Sequence, residues 1–364
     1  MKLLIFAGGA GRRFWPIGRA NKPKQFIKIF NGKSTYELTL ERTVPIYGLY
    51  NIFVSTIEDY VGKIKELTPN LPTSNIFTEP DRRDVGPAVG LALMRLKKLK
   101  VKEPIAILWA DHYIKNIKEF QNLLKQAEEY ILRKKANVVL IGEEPKYPAT
   151  NLGWIEIKKE KSLPKNHYKL SGFVYKPELK LAQKLYSTKT GLWNTAYMIS
   201  TVDVLLKYYQ KFFPELYEQL NTIYKYLETP QEAKILQEIY PQLPKIHFDH
   251  IVSYNLNKNN TIVLGADMGW TDPGTLYSFK NTMAPGNQNF IKGTVYTHKT
   301  HDSLVINNEP NKIVVTSNLN KMIVVNTKDA LLVIPADNVK EIADIYDYLA
   351  KHPKYKKFTQ KTNN

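Results

Sequence analysis

The sequence predicts an α/β protein with a mostly parallel sheet and helices on both sides. Three observations carry that expectation. Short apolar runs alternate with segments of helical spacing through the first half of the chain. The first run, Lys2 to Ala7, has the all-apolar pattern of a strand buried on both faces. Two of the runs lead into turns bearing glycine or aspartate, the place where such sheets bind ligands.

In chain order, strands are expected at 3–7, 52–55, 76–79, 105–110 and 138–141. A helix is expected over 87–99, where Val89, Leu93 and Leu96 share a face, and another from about 117 to 134. Shorter strands follow at 153–157, 169–175 and 192–200. The stretch 202–240 is aromatic-rich and helical in spacing, broken at Phe213-Pro214 and near Thr229-Pro230. One more strand is expected at 261–264. Ala284-Pro285-Gly286-Asn287-Gln288-Asn289 then reads as a linker. It divides the chain into a domain of residues 1–283 and a β-rich C-terminal domain of 284–364. The latter has strands expected at 293–296, 304–306, 313–315, 322–326 and 331–334, a helix over 339–350, and a frayed tail after Lys351.

Composition narrows the function classes. With no cysteine among 364 residues, disulfides, thiolate metal sites and cysteine nucleophiles are excluded, and a cytoplasmic location is expected. No apolar run approaches a membrane span, and the strand-like start reads as lacking a signal peptide. The net charge of +18 could mark a nucleic-acid surface. Its lysines are spread along the whole chain, however. The densest stretch, Leu96 to Lys102, reads as the solvated end of an amphipathic helix. Nucleic acid is therefore not expected as a partner. A positive field still suits nucleotide and sugar-phosphate substrates.

The chemistry concentrates in residues 7–26. Ala7 ends the first strand, and Gly8-Gly9-Ala10-Gly11-Arg12-Arg13 follows. Glycines let backbone N–H groups approach an anion, and arginines add planar donors suited to phosphate. Lys22-Pro23-Lys24-Gln25-Phe26 adds two cations around a rigid proline. A Walker A loop is absent, and Phe14 stands where a dinucleotide-binding turn needs its third glycine. The glycines alone fit an ordinary turn with solvated arginines equally well.

The whole string through Phe26 closely resembles the signature of sugar-nucleotide pyrophosphorylases, in their mannose-1-phosphate guanylyltransferase branch. That branch carries Gly-Gly-x-Gly-x-Arg-Leu-Trp-Pro followed by Pro-Lys-Gln-Phe. Trp109-Ala110-Asp111-His112 resembles its Ala-Asp-His, and Gly269 to Thr275 its Trp-x-Asp-x-Gly. Asn326 to Val333 resembles its Asp-Thr-x-Asp-Ala-Leu-Leu-Val. The resemblance implies a Rossmann-like doubly wound mixed sheet with a small C-terminal left-handed β-helix. It implies a nucleotidyltransferase joining GTP and α-D-mannose 1-phosphate to give GDP-mannose and pyrophosphate, with Mg²⁺. Some relatives dimerise, so a homodimer is compatible with it.

Residue by residue, the resemblance assigns Arg13 and Lys24 to the triphosphate and its transition state, with Asp111 as their catalytic partner. Asp111 and Asp272 become the Mg²⁺ ligands, and Asp272 also faces the sugar phosphate. Taken singly, Asp111 reads better as a helix N-cap and Asp272 as a turn residue; the glycine loop and the order of the motifs along the chain favour the metal role. Ala7, Gly8, Gly9, Gly11, Glu79, Arg83 and Pro87 join Arg13, Lys24 and Asp111 on the nucleotide. Arg12 replaces the family threonine and reads as solvent-facing more readily than as a phosphate contact.

Gly153, Tyr175, Lys176 and Asn194 fall on the sugar side. There Tyr175 replaces a glutamate that grips sugar hydroxyls, and Ala196 replaces a glycine. Those two departures leave room for another hexose 1-phosphate, for UTP or dTTP, or for a weakened sugar-nucleotide-binding regulatory subunit. Intact Arg13, Lys24, Asp111 and Asp272 speak against the last.

Overall fold

Residues 1–360 are described by a computed structural model, and in it every apolar run of the first half becomes a strand. The tail residues 361–364 lie outside the described residues. The strands are β1 (Lys2–Phe6), β2 (Ile52–Ile57), β3 (Ile76–Glu79), β4 (Ile105–Trp109), β5 (Tyr113–Ile114), β6 (Val138–Glu143), β7 (Gly153–Lys158), β8 (His167–Tyr175), β9 (Gly191–Ser200), β10 (Thr261–Ala266) and β11 (Trp270–Thr271). Nine of them form one sheet in the order β3-β2-β1-β4-β9-β6-β10-β8-β7.

On one side of this sheet β3, β2, β1 and β4 all run parallel. Then β9 inserts antiparallel between β4 and β6. Further out, β6 and β10 are parallel, and β8 and β7 are antiparallel additions. The sheet is therefore mixed. Every residue of β2, β6 and β10 is buried, as strands covered on both faces require.

The chain contacts divide into two units, neither continuous in sequence. The first holds residues 1–8, 41–109 and 114–270; the second holds 9–40, 110–113 and the chain from 271 onward. This differs from a division at the 284–289 linker. Hydrophobic burial explains the difference within the second unit: Phe14, Trp15 and Ile17 pack in one core with Leu276, Phe279, Leu304, Ile323 and Ile342.

The first unit contains the nine-stranded sheet and its helices. The helix Val85–Lys98 is buried along most of its length, and its Gly90 leaves room for Tyr209 and Leu220. Asp84 caps that helix, accepting from the Val85 N–H at 2.8 Å. The helices Val202–Phe212, Pro214–Tyr226 and Glu232–Ile239 break at the expected prolines. The order reverses between β1 and β4. The chain leaves the carboxyl ends of those two strands at Gly8 and at Ala110, the topological switch point where open α/β sheets bind ligands.

The second unit carries β12 (Phe290–Lys292), β13 (Val295–His298), β14 (Leu304–Asn307), β15 (Val314–Ser317), β16 (Met322–Asn326) and β17 (Leu331–Pro335). Val295 lies opposite Val314 and Leu304 opposite Ile323, both in parallel and both nineteen residues on. β17 closes that sheet antiparallel to β16. These strands carry polar pairs: Asn326 Nδ2 donates to Asn307 Oδ1 at 2.9 Å, and the Thr300 and Thr316 hydroxyls meet at 3.1 Å.

Three expectations need correction here. The strand expected at 293–296 starts two residues later, at Val295, and runs to His298; Gly293, whose φ is 87°, separates it from β12, which the sequence reading did not anticipate. The helix expected at 339–350 begins at Ile342, because Ala336–Glu341 winds as a 3₁₀ turn. The tail just after Lys351 is not frayed as far as it is described: Trp15 Nε1–H donates to the Phe358 carbonyl at 2.9 Å.

A Cβ on Gly293 would lie 2.0 Å from the Asn307 carbonyl oxygen. Gly293→Ala combines that overlap with left-handed backbone strain and should cost about 3 kcal/mol or more. Chemical denaturation checks this; a midpoint equal to wild type would show that the turn relaxes freely.

Candidate active site

The glycine loop and the lysine motif form one folded-back hairpin. Arg19 and Lys22 exchange backbone hydrogen bonds at 3.1 and 3.0 Å, which returns Pro23-Lys24 toward Gly11. Gly11 has φ 63°, and a Cβ there would lie 2.4 Å from the Lys24 backbone nitrogen. Only glycine fits so close an approach in that conformation. Gln25, almost fully buried, donates from Nε2 to the Gly9 carbonyl at 3.2 Å. The two sequence motifs are thus parts of one turn.

Lys24 is the centre of this arrangement. Its Nζ lies 3.0 Å from Asp111 Oδ2 and 2.9 Å from Asp272 Oδ1. The lysine side chain is 10% exposed and each aspartate 39%, so an inner cation is flanked by carboxylates that reach solvent. Burial works against a charged Lys24, but the two carboxylates outweigh it and raise its pKa. Burial likewise opposes Asp111 ionisation. Lys24, with His112 at 4.0 Å adding to it, overrides this and brings the Asp111 carboxyl down to about 2.

Arg13 is exposed. A Cβ built on Gly274 would lie 3.6 Å from Arg13 Nη1 and 3.5 Å from Asp272 Oδ1, so both side chains flank that glycine. Arg12 points elsewhere and pairs with Asp347.

The local alternatives for the aspartates are also decided. The helix Ile117–Leu132 is capped by Asn116, whose Oδ1 accepts from the Glu119 N–H, and not by Asp111. Asp272 does make a tight turn, but with its backbone carbonyl, which accepts from the Gly274 N–H at 2.7 Å. Its carboxylate is left for Lys24. Among the described residues no group of three or more His, Asp or Glu could hold a metal by itself. Two carboxylates already sharing one cation are, however, a donor set that suits Mg²⁺ completed by phosphate oxygens and water.

The first unit holds the other expected residues. Ala7 is locked by its N–H to Ser55 and its carbonyl to Thr56 Oγ1. Gly8 lies against Glu79, where a Cβ would sit 3.3 Å from Oε1. Burial pushes the Glu79 carboxyl up to about 7, although the Tyr240 hydroxyl donates to its Oε2 at 2.5 Å and opposes the shift. Tyr240 was not legible as a site residue, standing 161 positions away with no motif around it. Arg83 gives Nε and Nη2 to the Leu243 carbonyl, so it braces the loop ahead of the helix. Pro87 occupies the first turn of that helix, as both of its readings require.

On the sugar side, Gly153 lies opposite Tyr175, and Trp154 opposite Trp193, so β8, β7 and β9 bring Gly153, Tyr175 and Asn194 onto adjacent strands. Tyr175 is 63% exposed, with Lys176 Nζ 4.7 Å from its ring centroid. Ala196 holds φ 57°, the conformation a glycine would take. Its N–H donates to Asn194 Oδ1 at 2.9 Å, and its carbonyl accepts from Trp109 Nε1–H at 2.9 Å. The replacement of glycine at this position therefore adds a methyl group within a glycine-type backbone path.

Sequence reading also missed Glu143. Buried at the end of β6, it accepts from the Met268 and Gly269 N–H groups at 2.9 and 3.0 Å, and burial pushes its carboxyl up to about 8. It fixes the backbone just before Trp270-Thr271-Asp272.

Comparison with known proteins follows the same lines. The family model described as "Nucleotidyl transferase" matches residues 2–287. The chain belongs to the nucleotidyl transferase family. It is an enzyme of that class. A mannose-1-phosphate guanylyltransferase of Escherichia coli is 26% identical over 361 residues, covering 95% of this chain and 75% of the relative. The alginate biosynthesis protein AlgA of Pseudomonas aeruginosa is 28% identical over 349 residues, covering 94% and 70%. A crystal structure described as a mannose-1-phosphate geranyltransferase from Thermus thermophilus superposes with a TM-score of 0.82 at 24% identity, covering 96% of this chain and 98% of that one. It shares the mixed α/β fold. Among the described residues no helix is long and apolar enough to cross a membrane.

The depressed Asp111 carboxyl gives a signed pH effect. A group held near 2 against an ordinary 3.8 contributes stability that is complete above about pH 4 and lost as pH falls toward 2. Because the carboxylate is partly exposed, about 1 kcal/mol is expected. Acid unfolding of wild type and Asp111→Asn measures it: the stability difference should shrink between pH 4 and pH 2. A constant difference would contradict the Lys24 pairing.

Proposed function

We propose that this nucleotidyltransferase joins GTP and α-D-mannose 1-phosphate to give GDP-mannose and pyrophosphate. The observation that carries the reading is Lys24 held between Asp111 and Asp272, with Arg13 beside Asp272 at Gly274. This is a charged group built for polyanions. The guanylyltransferase names of the relatives supply the substrates.

A phosphate oxygen of the sugar 1-phosphate attacks the α-phosphorus in line, and the bond to the pyrophosphate leaving group breaks. The attacking phosphate is already ionised, so no general base is needed. The work is alignment and charge stabilisation. Lys24 and Arg13 would receive the negative charge that builds on the α-phosphate and the leaving pyrophosphate. Asp111 and Asp272 would hold Mg²⁺. That ion, when bound, neutralises phosphate charge and orients the oxygens. Glu79 would accept hydrogen bonds from the base. Asn194, whose Oδ1 is spent on Ala196, keeps Nδ2 to donate toward the sugar.

The same reading takes the C-terminal coil as a left-handed β-helix, supported by its nineteen-residue parallel offset. It also takes the enzyme as a cytoplasmic homodimer acting on GTP and a sugar phosphate, with neither nucleic acid nor membrane as partner.

One observation favours a second reading, another hexose 1-phosphate. Tyr175 offers one hydroxyl and a ring where a glutamate would accept from two sugar hydroxyls. Pyrophosphate release from each nucleoside triphosphate against a panel of sugar 1-phosphates separates the two. GTP with mannose 1-phosphate should give the highest kcat/KM, and Tyr175→Glu should sharpen the preference for mannose over glucose. A higher value for another pair replaces the substrate assignment. In the same assay Arg13→Ala should lower kcat by roughly a hundredfold, the scale of losing one preorganised charge-stabilising donor. Wild-type turnover would remove Arg13 from the reaction.

The metal assignment is checked without turnover. Isothermal titration of Mg²⁺ into the GTP complex should show at least about tenfold weaker binding in Asp272→Asn than in wild type. Equal affinity would assign the carboxylate to Lys24 alone.

A further inference from the structure

The Asp329 motif is not absorbed by the chemistry above. Asp329 lies in the turn between β16 and β17, far along the chain from the phosphate loop. That turn is self-braced: Thr327 N–H and Oγ1 both bond to the Ala330 carbonyl, and Thr327 Oγ1 lies 3.2 Å from Asp329 Oδ1. Asp329 in turn receives Arg19 Nη2 at 2.6 Å. Arg19 is 3% exposed, and its Nε and Nη1 have no hydrogen-bond partner among the described residues. A buried guanidinium with two unpaired nitrogens is held by that one carboxylate and by Trp15, whose ring centroid lies 5.9 Å away.

Arg19 occupies a particular place in the loop. It is the residue at which the chain turns back, bonding Lys22 in both directions and so setting where Lys24 returns beside Gly11. Other bonds tie the same hairpin to the C-terminal segment: Trp15 Nε1–H to the Phe358 carbonyl and the Ala20 N–H to the Thr359 carbonyl. The C-terminal segment thus holds the hairpin at Trp15, Arg19 and Ala20.

We propose that Arg19 and Asp329 are positioning residues, a buried ion pair through which the C-terminal β-rich segment fixes the geometry of the phosphate loop. Neither residue touches substrate. Their effect passes through the Arg19–Lys22 hairpin to Lys24 and Arg13. The kinetic part of this inference rests on the nucleotidyl transfer proposed above; the structural part does not.

The test uses the full-length protein and three variants. Asp329→Asn leaves Arg19 charged and unpaired. Asp329→Glu restores a carboxylate. Arg19→Met with Asp329→Leu replaces the pair by apolar side chains of similar size, which often leaves folding intact. Amide hydrogen exchange is read over residues 9–26, with β1 and β4 as internal references. In Asp329→Asn and in the double variant, amides in 9–26 should exchange at least about tenfold faster while the reference strands stay unchanged. Asp329→Glu should recover most of the protection.

In the pyrophosphate assay Asp329→Asn and the double variant should lose about tenfold or more in kcat with KM for the triphosphate little altered, because misplaced transition-state groups affect kcat first. Unchanged exchange over 9–26 overturns the inference whatever the activity. So does a double variant with wild-type kcat, which would make the pair a matter of stability alone. A wild-type protein that releases no pyrophosphate from any substrate pair fails the proposed function, and leaves the exchange result standing by itself.

Discussion

The charged cluster of Asp111 and Asp272 depends on one buried ammonium group. Lys24 draws together Asp111 and Asp272, which arrive from two distant stretches of the chain. Two carboxylates this close would repel each other and resist ionisation without a cation. With Lys24 among them, Asp111 stays ionised far below neutral pH and Lys24 stays protonated despite burial. Lys24 offsets one of the two carboxylate charges, and the two aspartates and Arg13 remain reachable from solvent.

The position of that ammonium is itself a backbone matter. Gly11 in the left-handed region lets Lys24 N approach to a distance no side chain would allow. Gln25 ties the glycine loop to the lysine motif, and the Arg19–Lys22 bonds close the hairpin. The apolar side chains in between, Phe14, Trp15 and Ile17, are buried in the core of the C-terminal strands. A loop rich in glycine would otherwise lose much conformational entropy on ordering; here hydrophobic burial supplies the offset.

The first unit solves a different problem. Its sheet must present polar groups from a fully apolar framework. Glu79 and Glu143 are both buried carboxyls at strand ends, and burial raises both. Each is held by specific donors: Tyr240 for Glu79, and the backbone N–H groups of Met268 and Gly269 for Glu143. Buried carboxyls placed in this way fix the backbone around them, since leaving their partners unpaired would be costly. Ala196 shows the limit of reading such a position by residue type, because its backbone keeps the glycine path.

Local patterns determined a large part of this protein. Apolar runs gave the strands of the sheet, because strands buried on both faces must be apolar throughout. Proline gave the breaks in the aromatic-rich helices, because it cannot continue one. The glycine, arginine and lysine string marked the stretch that folds into one turn around Lys24. Tertiary structure alone decided the rest. Nothing local told that Asp272 meets Lys24. Nothing local told that Tyr240 serves Glu79, that Arg83 serves Leu243, or that the tail near Phe358 is pinned to Trp15. Those pairings join residues from far apart in the chain. They are set by which buried donors and acceptors the folded core leaves side by side, and a sequence pattern with a period of two or 3.6 residues carries no record of that.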